Sequence, residues 1–275
     1  MSNKVTIIVA THKKYKMPED RMYLPVYVGA EGKTDDAGNP LDIGYIKDNT
    51  GDNISAKNAS FCELTGLYWA WKNLDSQYIG LAHYRRHFSY KKKTDNPFDN
   101  VLRYRELKPM LDKYAVFVPK KRKYYIESLY SHYAHTHYAS HLKATKKIIA
   151  KKYPDYLKYF DDVVNRTYGY MFNMMIMRRD LFNDYCSWLF DILFELEKKI
   201  DRKNTDLSDF QRRFYGRVSE IIFNVWLEKK IDDGTVSRNE IKELPYIYME
   251  KIDYRRKVTS FIKAKFLNEK YEGSF

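Results

Sequence analysis

The chain opens on an unbroken apolar run. Lys4 to Ala10 reads KVTIIVA, a β-branched stretch that suits a buried strand of a mainly parallel sheet. It stops at Thr11-His12-Lys13, so a polar cluster falls at the strand's C-terminal end, where open α/β sheets bind ligands. Tyr23 to Gly29 (YLPVYVG) predicts a second short strand. Residues 31–53, rich in Gly, Asp and Asn, predict a loop.

The period then changes. Phe61, Leu64, Thr65, Tyr68, Trp69 and Lys72 follow helical spacing and predict a helix from Asn58 to Leu74, with Ser55 capping its start. Gln77 to Ala82 (QYIGLA) predicts a buried strand that runs straight into His83-Tyr84-Arg85-Arg86-His87. Tyr114 to Pro119 predicts another strand, followed by the basic run Lys120-Lys121-Arg122-Lys123. From Ser128 to Phe160 the pattern is helical, with a break at Pro154. Met171 to Met177 predicts a strand, and Gln211 to Lys230 a helix. Asp180 to Ile200 predicts a long amphipathic helix whose core face holds Leu181, Tyr185, Trp188, Leu189, Ile192 and Leu196. Glu243 to Tyr248 predicts a late strand.

Alternating strands and helices imply an α/β fold, a mixed and mainly parallel sheet flanked by helices. No Gly/Ser linker and no repeat interrupts residues 1–250. They are therefore expected to form a single domain with a helical C-terminal part, followed by a basic amphipathic tail over 251–275.

Composition sharpens this picture in three ways. At 275 residues and 44% hydrophobic the chain can bury a sizeable core, which argues against disorder. Its 26 tyrosines suit half-buried clefts as well as cores. A net charge of +13 attracts polyanions: nucleic acid, an anionic membrane face or phosphorylated small molecules. Cys62 and Cys186 fit no metal spacing and sit among apolar residues, so buried free thiols in a reducing compartment are expected. Met1-Ser2-Asn3-Lys4 leads straight into a strand, so no signal peptide is expected. No apolar run approaches the roughly 18 residues of a membrane span.

The most informative chemistry is the pair Arg85 and Arg86. A planar guanidinium bonds phosphate oxygens bidentately and keeps its charge. Two of them at the mouth of a sheet can neutralise a departing diphosphate without a metal. A salt-bridged surface pair is the competing reading. Glu63, in an otherwise apolar and aromatic helix, calls for a buried partner such as one of these arginines. His137 and His141 stand four apart, yet a zinc-protease helix requires H-E-x-x-H and Tyr138-Ala139-Ser140 intervene. No P-loop, GxGxxG or GxSxG is present.

Several segments together resemble one bacterial family. DNTGDNISAKNASFCELTGLYWAWKN followed by YIGLAHYRRHF, the opening VATHKKYKMP, and the later YGYMFNMMIMRRDLF and QRRFYGRVSEIIFNVWL are similar to the DUF4422 family, whose members sit among capsular and exopolysaccharide glycosyltransferases. The resemblance spans most of the chain. It implies a GT-A-like, Rossmann-related fold and transfer of a hexose from a nucleotide-sugar donor, with UDP-galactose in pyranose or furanose form as the leading donor. The acceptor it implies is a growing lipid-linked oligosaccharide in capsular, exopolysaccharide or O-antigen synthesis. In metal-dependent GT-A enzymes an Asp-x-Asp cluster follows the strand that here ends in His83-Tyr84-Arg85-Arg86. A divalent metal is accordingly not required, with Mn or Mg as possible accessories.

Under the resemblance, Thr11, His12 and Lys13 lie where the nucleotide base and ribose bind. Asp48, Asn49, Asp52 and Asn53 would wall the donor, although the same residues make an ordinary surface turn. Lys57 and Asn58 would face the diphosphate at a helix N-terminus, beside His83 and Tyr84. Glu220 is the candidate base for an inverting reaction; a helix carboxylate paired with Arg213 or Arg217 is the alternative. His132, His135 and His137 would line the acceptor.

The tail gathers Arg255, Arg256, Lys257, Lys263, Lys265 and Lys270 around Val258, Phe261, Ile262, Phe266 and Leu267, a composition suited to an anionic leaflet. The expected location is cytoplasmic, peripheral at the inner face of the cell membrane. Two other classes compete. A nucleic-acid-binding protein would use the same charge, but no recognition motif is present and the basic residues are dispersed among acids. A non-catalytic nucleotide-sugar-binding protein would share the donor site without turnover.

Overall fold

A computed structural model of the chain describes residues 4–90, 94–200 and 207–250, together with 259, 264, 265, 270 and 273. The expected tail therefore lies outside the described residues apart from those last five positions, Lys265 and Lys270 among them. The chain divides into two compact units: Met1–Lys120, Phe172–Cys186 and Val236–Glu250 form the first, and Lys121–Met171, Ser187–Thr235 and Lys251–Phe275 the second. The chain passes between them without a Gly/Ser linker, once inside a helix, which is why the sequence reads as continuous.

The strands of the first unit are β1 (Val5–Thr11), β2 (Tyr23–Tyr27), β3 (Ile46–Lys47), β4 (Tyr78–His83), β5 (Arg86–Phe88), β6 (Val116–Pro119), β9 (Met175–Arg178), β10 (Ile241–Leu244) and β11 (Tyr246–Tyr248). The second unit holds β7 (Arg122–Lys123) and β8 (Tyr168–Gly169), an antiparallel ribbon. The helices are α1 (Asn58–Phe61), α2 (Leu64–Asn73), α3 (Tyr104–Leu107), α4 (Leu129–Thr136), α5 (Ala139–Lys152), α6 (Leu157–Val164), α7 (Arg179–Ile200), α8 (Asp209–Arg212) and α9 (Phe214–Asp232).

Among the described residues the large sheet runs β10-β6-β9-β4-β1-β2-β3. Strands β4, β1, β2 and β3 pair in parallel, as do β6 and β10; β9 is antiparallel to both its neighbours. Every residue of β1 is buried, and Ile7, Ile8 and Val9 are fully so. Consecutive buried residues mean that both faces of the strand are covered, as expected for its unbroken apolar run. Close approach is built in at Gly80, where a Cβ would stand 2.7 Å from the Met175 carbonyl of β9. At Gly66 of α2 a Cβ would meet Val28 at 2.8 Å, so the missing side chain lets the helix sit down on the sheet.

The structure corrects several expected boundaries, each for a local reason. The helix over 58–74 is broken at Cys62, whose φ is +53°, because the Asn58 side chain donates to the Cys62 carbonyl and to Thr65 Oγ1. Ser55 does not cap it: its hydroxyl is held by Asp48 and accepts the Glu31 N–H. The strand expected from Met171 begins only at Met175, since Phe172 and Asn173 take φ of +80° and +52°. The late strand splits at Pro245, which has no N–H to donate; β10 pairs with β6 and β11 with β5. The helical stretch after Ser128 breaks at His137 and Tyr138 as well as at Pro154. Consequently His137 and His141 do not share one helix face.

The second unit is helical around Trp226, Tyr215, Phe190 and Leu193, all essentially without solvent contact. Cys62 and Cys186 are both buried thiols outside any disulfide, as expected. Among the described residues no helix is long and apolar enough to cross a membrane.

Candidate functional site

The first unit concentrates its polar chemistry where β1 and β4 end together. The two strands run in parallel with Ala10 opposite His83, so Thr11-His12-Lys13 emerges beside Tyr84-Arg85. The buried Tyr84 ring is the floor of this group. The His12 ring meets it edge-on at 5.4 Å, Tyr15 does so at 5.0 Å, and Lys13 Nζ lies 5.3 Å from its centroid. Thr11 holds the turn locally, its hydroxyl donating to the Lys13 carbonyl at 2.6 Å.

The two arginines prove unequal. His83 pairs with Arg86 across a tight hairpin, leaving Tyr84 and Arg85 as its tip. Arg85 is exposed, with Nη1 3.9 Å from Glu250. Arg86 returns into the sheet opposite Tyr248 of β11, and its guanidinium carbon lies 3.9 Å over the Phe172 ring and 4.7 Å from that of Tyr248. A cation set against two aromatic rings is held in orientation and keeps its charge.

Behind the hairpin the backbone is strained. His83 Nε2 contacts the Phe172 carbonyl at 2.8 Å, and Asn173 Nδ2 donates to Glu63 Oε1 at 2.7 Å. Phe172, Asn173 and Cys62, the residue before Glu63, all have positive φ. Non-glycine residues in that region cost about 1–3 kcal/mol each and gather where a site is over-determined. Burial pushes the His83 pKa down; Glu63 opposes the shift and Arg86 adds to it. The ring is therefore neutral near pH 7, and the positive charge of this edge rests on Lys13, Arg85 and Arg86.

The other expected donor residues go elsewhere. Asp48 is fully buried. Its carboxylate accepts from Gly29 N (2.9 Å), Ala30 N (3.2 Å), Thr65 Oγ1 (2.6 Å) and the Ser55 hydroxyl. It ties the end of β2 to the start of the helical segment and does not wall a ligand site. Asn49 donates to Glu31, and Asn53 accepts the Ser55 N–H. Asp52 accepts from Tyr68 and lies 3.9 Å from Lys72, while Trp69 Nε1 donates to Thr50. Loop 49–53 is thus docked along α2. Lys57 closes a 3-10 turn, and Asn58 opens a helix of one turn. That leaves too few aligned peptides for the dipole expected there.

The second unit holds the remaining expected residues. His132 and His135 each place Nδ1 on the Glu127 carboxylate, at 2.8 and 2.6 Å, and Glu127 is buried. Burial alone would raise the Glu127 pKa, but these two bonds outweigh it and hold the pKa below its ordinary value. His137 is a core residue, contrary to its expected place on a ligand surface. Its Nδ1 lies 2.9 Å from Gln211 Oε1, and burial lowers its pKa to about 3. His141 contacts the Tyr133 hydroxyl at 2.9 Å and stacks on Phe214. Glu220 is buried in α9, with Arg217 Nη1 3.6 Å away, which is the ion-paired arrangement. Among the described residues no three His, Cys, Asp or Glu side chains are placed to hold a metal ion.

The family model for DUF4422, described as a domain of unknown function, matches residues 6–231. The chain belongs to DUF4422. No curated protein matches this DUF4422 chain. A solved structure does: WbbM, a bifunctional glycosyltransferase in its apo form, is 29% identical with a TM-score of 0.80. The match covers 90% of the DUF4422 chain and 46% of WbbM, so the chain spans about half the length of that protein. The α/β fold with its central, mostly parallel sheet is common to both.

In this DUF4422 chain the residues that sequence reasoning missed are Tyr15, Phe172, Asn173, Tyr248 and Glu250. Phe172 and Asn173 carried one legible signal, a polar asparagine inside the apolar run MFNMMIM. Tyr248 and Glu250 reach Arg86 and Arg85 only because β11 pairs with β5, a contact no local pattern announces.

Proposed function

We propose that the chain is a GT-A-like glycosyltransferase that moves a hexose from a UDP-sugar to a growing lipid-linked oligosaccharide. Galactose, as pyranose or furanose, is the donor sugar of this reading, in capsular, exopolysaccharide or O-antigen synthesis at the cytoplasmic face of the membrane. One observation carries it: the β4–β5 hairpin sets two guanidinium groups of fixed charge at the C-terminal edge of a parallel sheet, braced by strained backbone at Phe172 and Asn173. The likeness to WbbM supports the reaction class.

In this mechanism the donor diphosphate sits at the edge formed by Thr11–Lys13 and Tyr84–Arg86. As the sugar–phosphate bond breaks, negative charge builds on the leaving diphosphate, and Arg86 and Arg85 stabilise it. Arg86, already oriented by its two rings, needs little rearrangement to do so. The test is thermal unfolding of the purified chain against a panel of nucleotide sugars and free nucleotides. A ligand that binds the native state raises the midpoint, more so the tighter it binds. UDP-sugars should give the largest shifts. A panel without effect, alongside stabilisation by RNA or DNA, would overturn the transferase reading in favour of nucleic-acid binding.

A further inference from the structure

Tyr125 and Ile126 are 80% and 74% exposed, the highest values for large apolar side chains among the described residues, and they are adjacent. Their exposure is built. The Ile126 N–H donates to the Tyr124 carbonyl at 2.7 Å, closing a three-residue turn on Tyr125, whose φ is +59°. On one side Tyr124 N donates to the Thr167 carbonyl at 2.7 Å, and β7 pairs with β8. On the other, buried Glu127 holds His132 and His135, and Ser128 caps α4 by accepting the Ser131 N–H at 3.0 Å. The turn is clamped at both ends while its tip points two apolar groups into water.

The surroundings are basic. Lys121, Arg122 and Lys123 lead into the turn, and Lys123 is exposed. Lys121 Nζ lies about as far from the Tyr168 ring (5.1 Å) as from that of Tyr170 (5.0 Å). The acid of this segment, Glu127, is 3% exposed and turned inward onto two histidines, so it places no carboxylate on the surface beside these cations.

We propose that the Tyr124–Ile126 turn is the point at which the protein docks on an anionic lipid bilayer. Tyrosine settles at the headgroup level and isoleucine just below it, while the cations meet lipid phosphates. On a nucleic acid the cations would meet phosphates, but the exposed isoleucine gains little along a phosphate backbone, whereas in a bilayer both apolar groups leave water. Two side chains are also far too small for a specific protein interface, which buries about 1,200 Å² or more. This deepens the membrane-side acceptor of the reading above, but the docking itself needs no sugar transfer.

The experiment is co-sedimentation of the full chain with vesicles of phosphatidylcholine, alone or with about 30% phosphatidylglycerol, at about 0.1 M salt. The wild-type protein should partition onto the anionic vesicles only. The Tyr125→Ser/Ile126→Ser double variant should lose about tenfold in partitioning, with its unfolding midpoint unchanged because neither side chain is in the core. Lys123→Glu should lose several-fold. Wild-type indifference to phosphatidylglycerol would overturn the proposal. Undiminished binding by the double variant would do so too, and would move the contact to another basic segment such as 251–275. A double variant that instead loses binding to RNA or to a protein, with vesicle binding intact, would likewise overturn it. No sugar nucleotide enters the assay, so its failure leaves the transferase reading standing, and a failed nucleotide panel leaves the docking result standing.

Discussion

The runs His83-Tyr84-Arg85-Arg86-His87 and His132 to His141 share histidine and tyrosine, but only the first carries arginine. The first turns in a hairpin at a sheet edge. There His87 is buried with its pKa lowered to about 3, while Arg85 stays exposed and Arg86 rests on two rings. The second spans α4, the break at His137 and Tyr138, and α5; burial lowers His132 and His141 to about 4 and His137 to about 3. Histidine surrenders its charge when buried, whereas arginine does not. At neutral pH the hairpin therefore keeps a fixed positive edge, while His132, His137 and His141 become neutral packing. The fixed charge that a polyanion would meet is the hairpin's, although the histidine-rich run is the more conspicuous in sequence.

The largest test of that contrast replaces the arginines one at a time. Arg86→Ala should lower the rate of sugar transfer from the UDP donor by about 10³-fold, a loss near 4 kcal/mol of transition-state stabilisation. Arg85→Ala, which removes an exposed side chain at the tip, should lower it only about tenfold. Arg86→Lys should recover little, since an ammonium lacks the planar group that lies against Phe172. Thermal unfolding of each variant checks that the fold persists. Equal losses from Arg85→Ala and Arg86→Ala would erase the distinction between the two positions.

A second test compares the hairpin with the loop that sequence placed beside it. Asp48→Ala should destabilise the protein by about 3 kcal/mol, because two backbone N–H groups and two hydroxyls lose a buried acceptor. UDP-sugar affinity, measured by titration where the variant is still folded, should stay within about twofold of wild type. A stable variant that has lost nucleotide binding would restore Asp48 to the ligand wall.

These contrasts also mark what a sequence can disclose. The strands β1, β4 and β6 and the helices α7 and α9 were legible within a few residues, because long runs of one period leave few alternatives. Thr11-His12-Lys13 and Tyr84-Arg85 were legible as an edge for the same reason: each directly ends a buried strand. Asp48 was not, because Asp, Asn and Gly make turns whether their side chains face solvent or a buried hydroxyl. Nor was the inequality of the arginines, which depends on β11 pairing with β5 and on Phe172 and Asn173 adopting positive φ. Both are set by contacts far apart in sequence.

The smallest expected effect concerns acid stability and reads the histidine side of the comparison directly. For His137 the ordinary pKa is near 6.5 and the folded value about 3, so below pH 6.5 the unfolded chain takes up a proton that the native state refuses. Stability is then lost as pH falls, and between pH 7 and 5 His137 alone contributes a loss of about 2 kcal/mol. His87, His132 and His141 act in the same direction. Glu127 does not act in that window: its pKa is lowered from 4.5, so its contribution is lost only as pH falls below that value. Denaturant unfolding at a series of pH values should accordingly show a slope between pH 6.5 and 5 that His137→Phe makes shallower. A slope indifferent to His137 would mean that its ring takes up a proton within the fold, and the neutral-packing account of the helical run would fall with it.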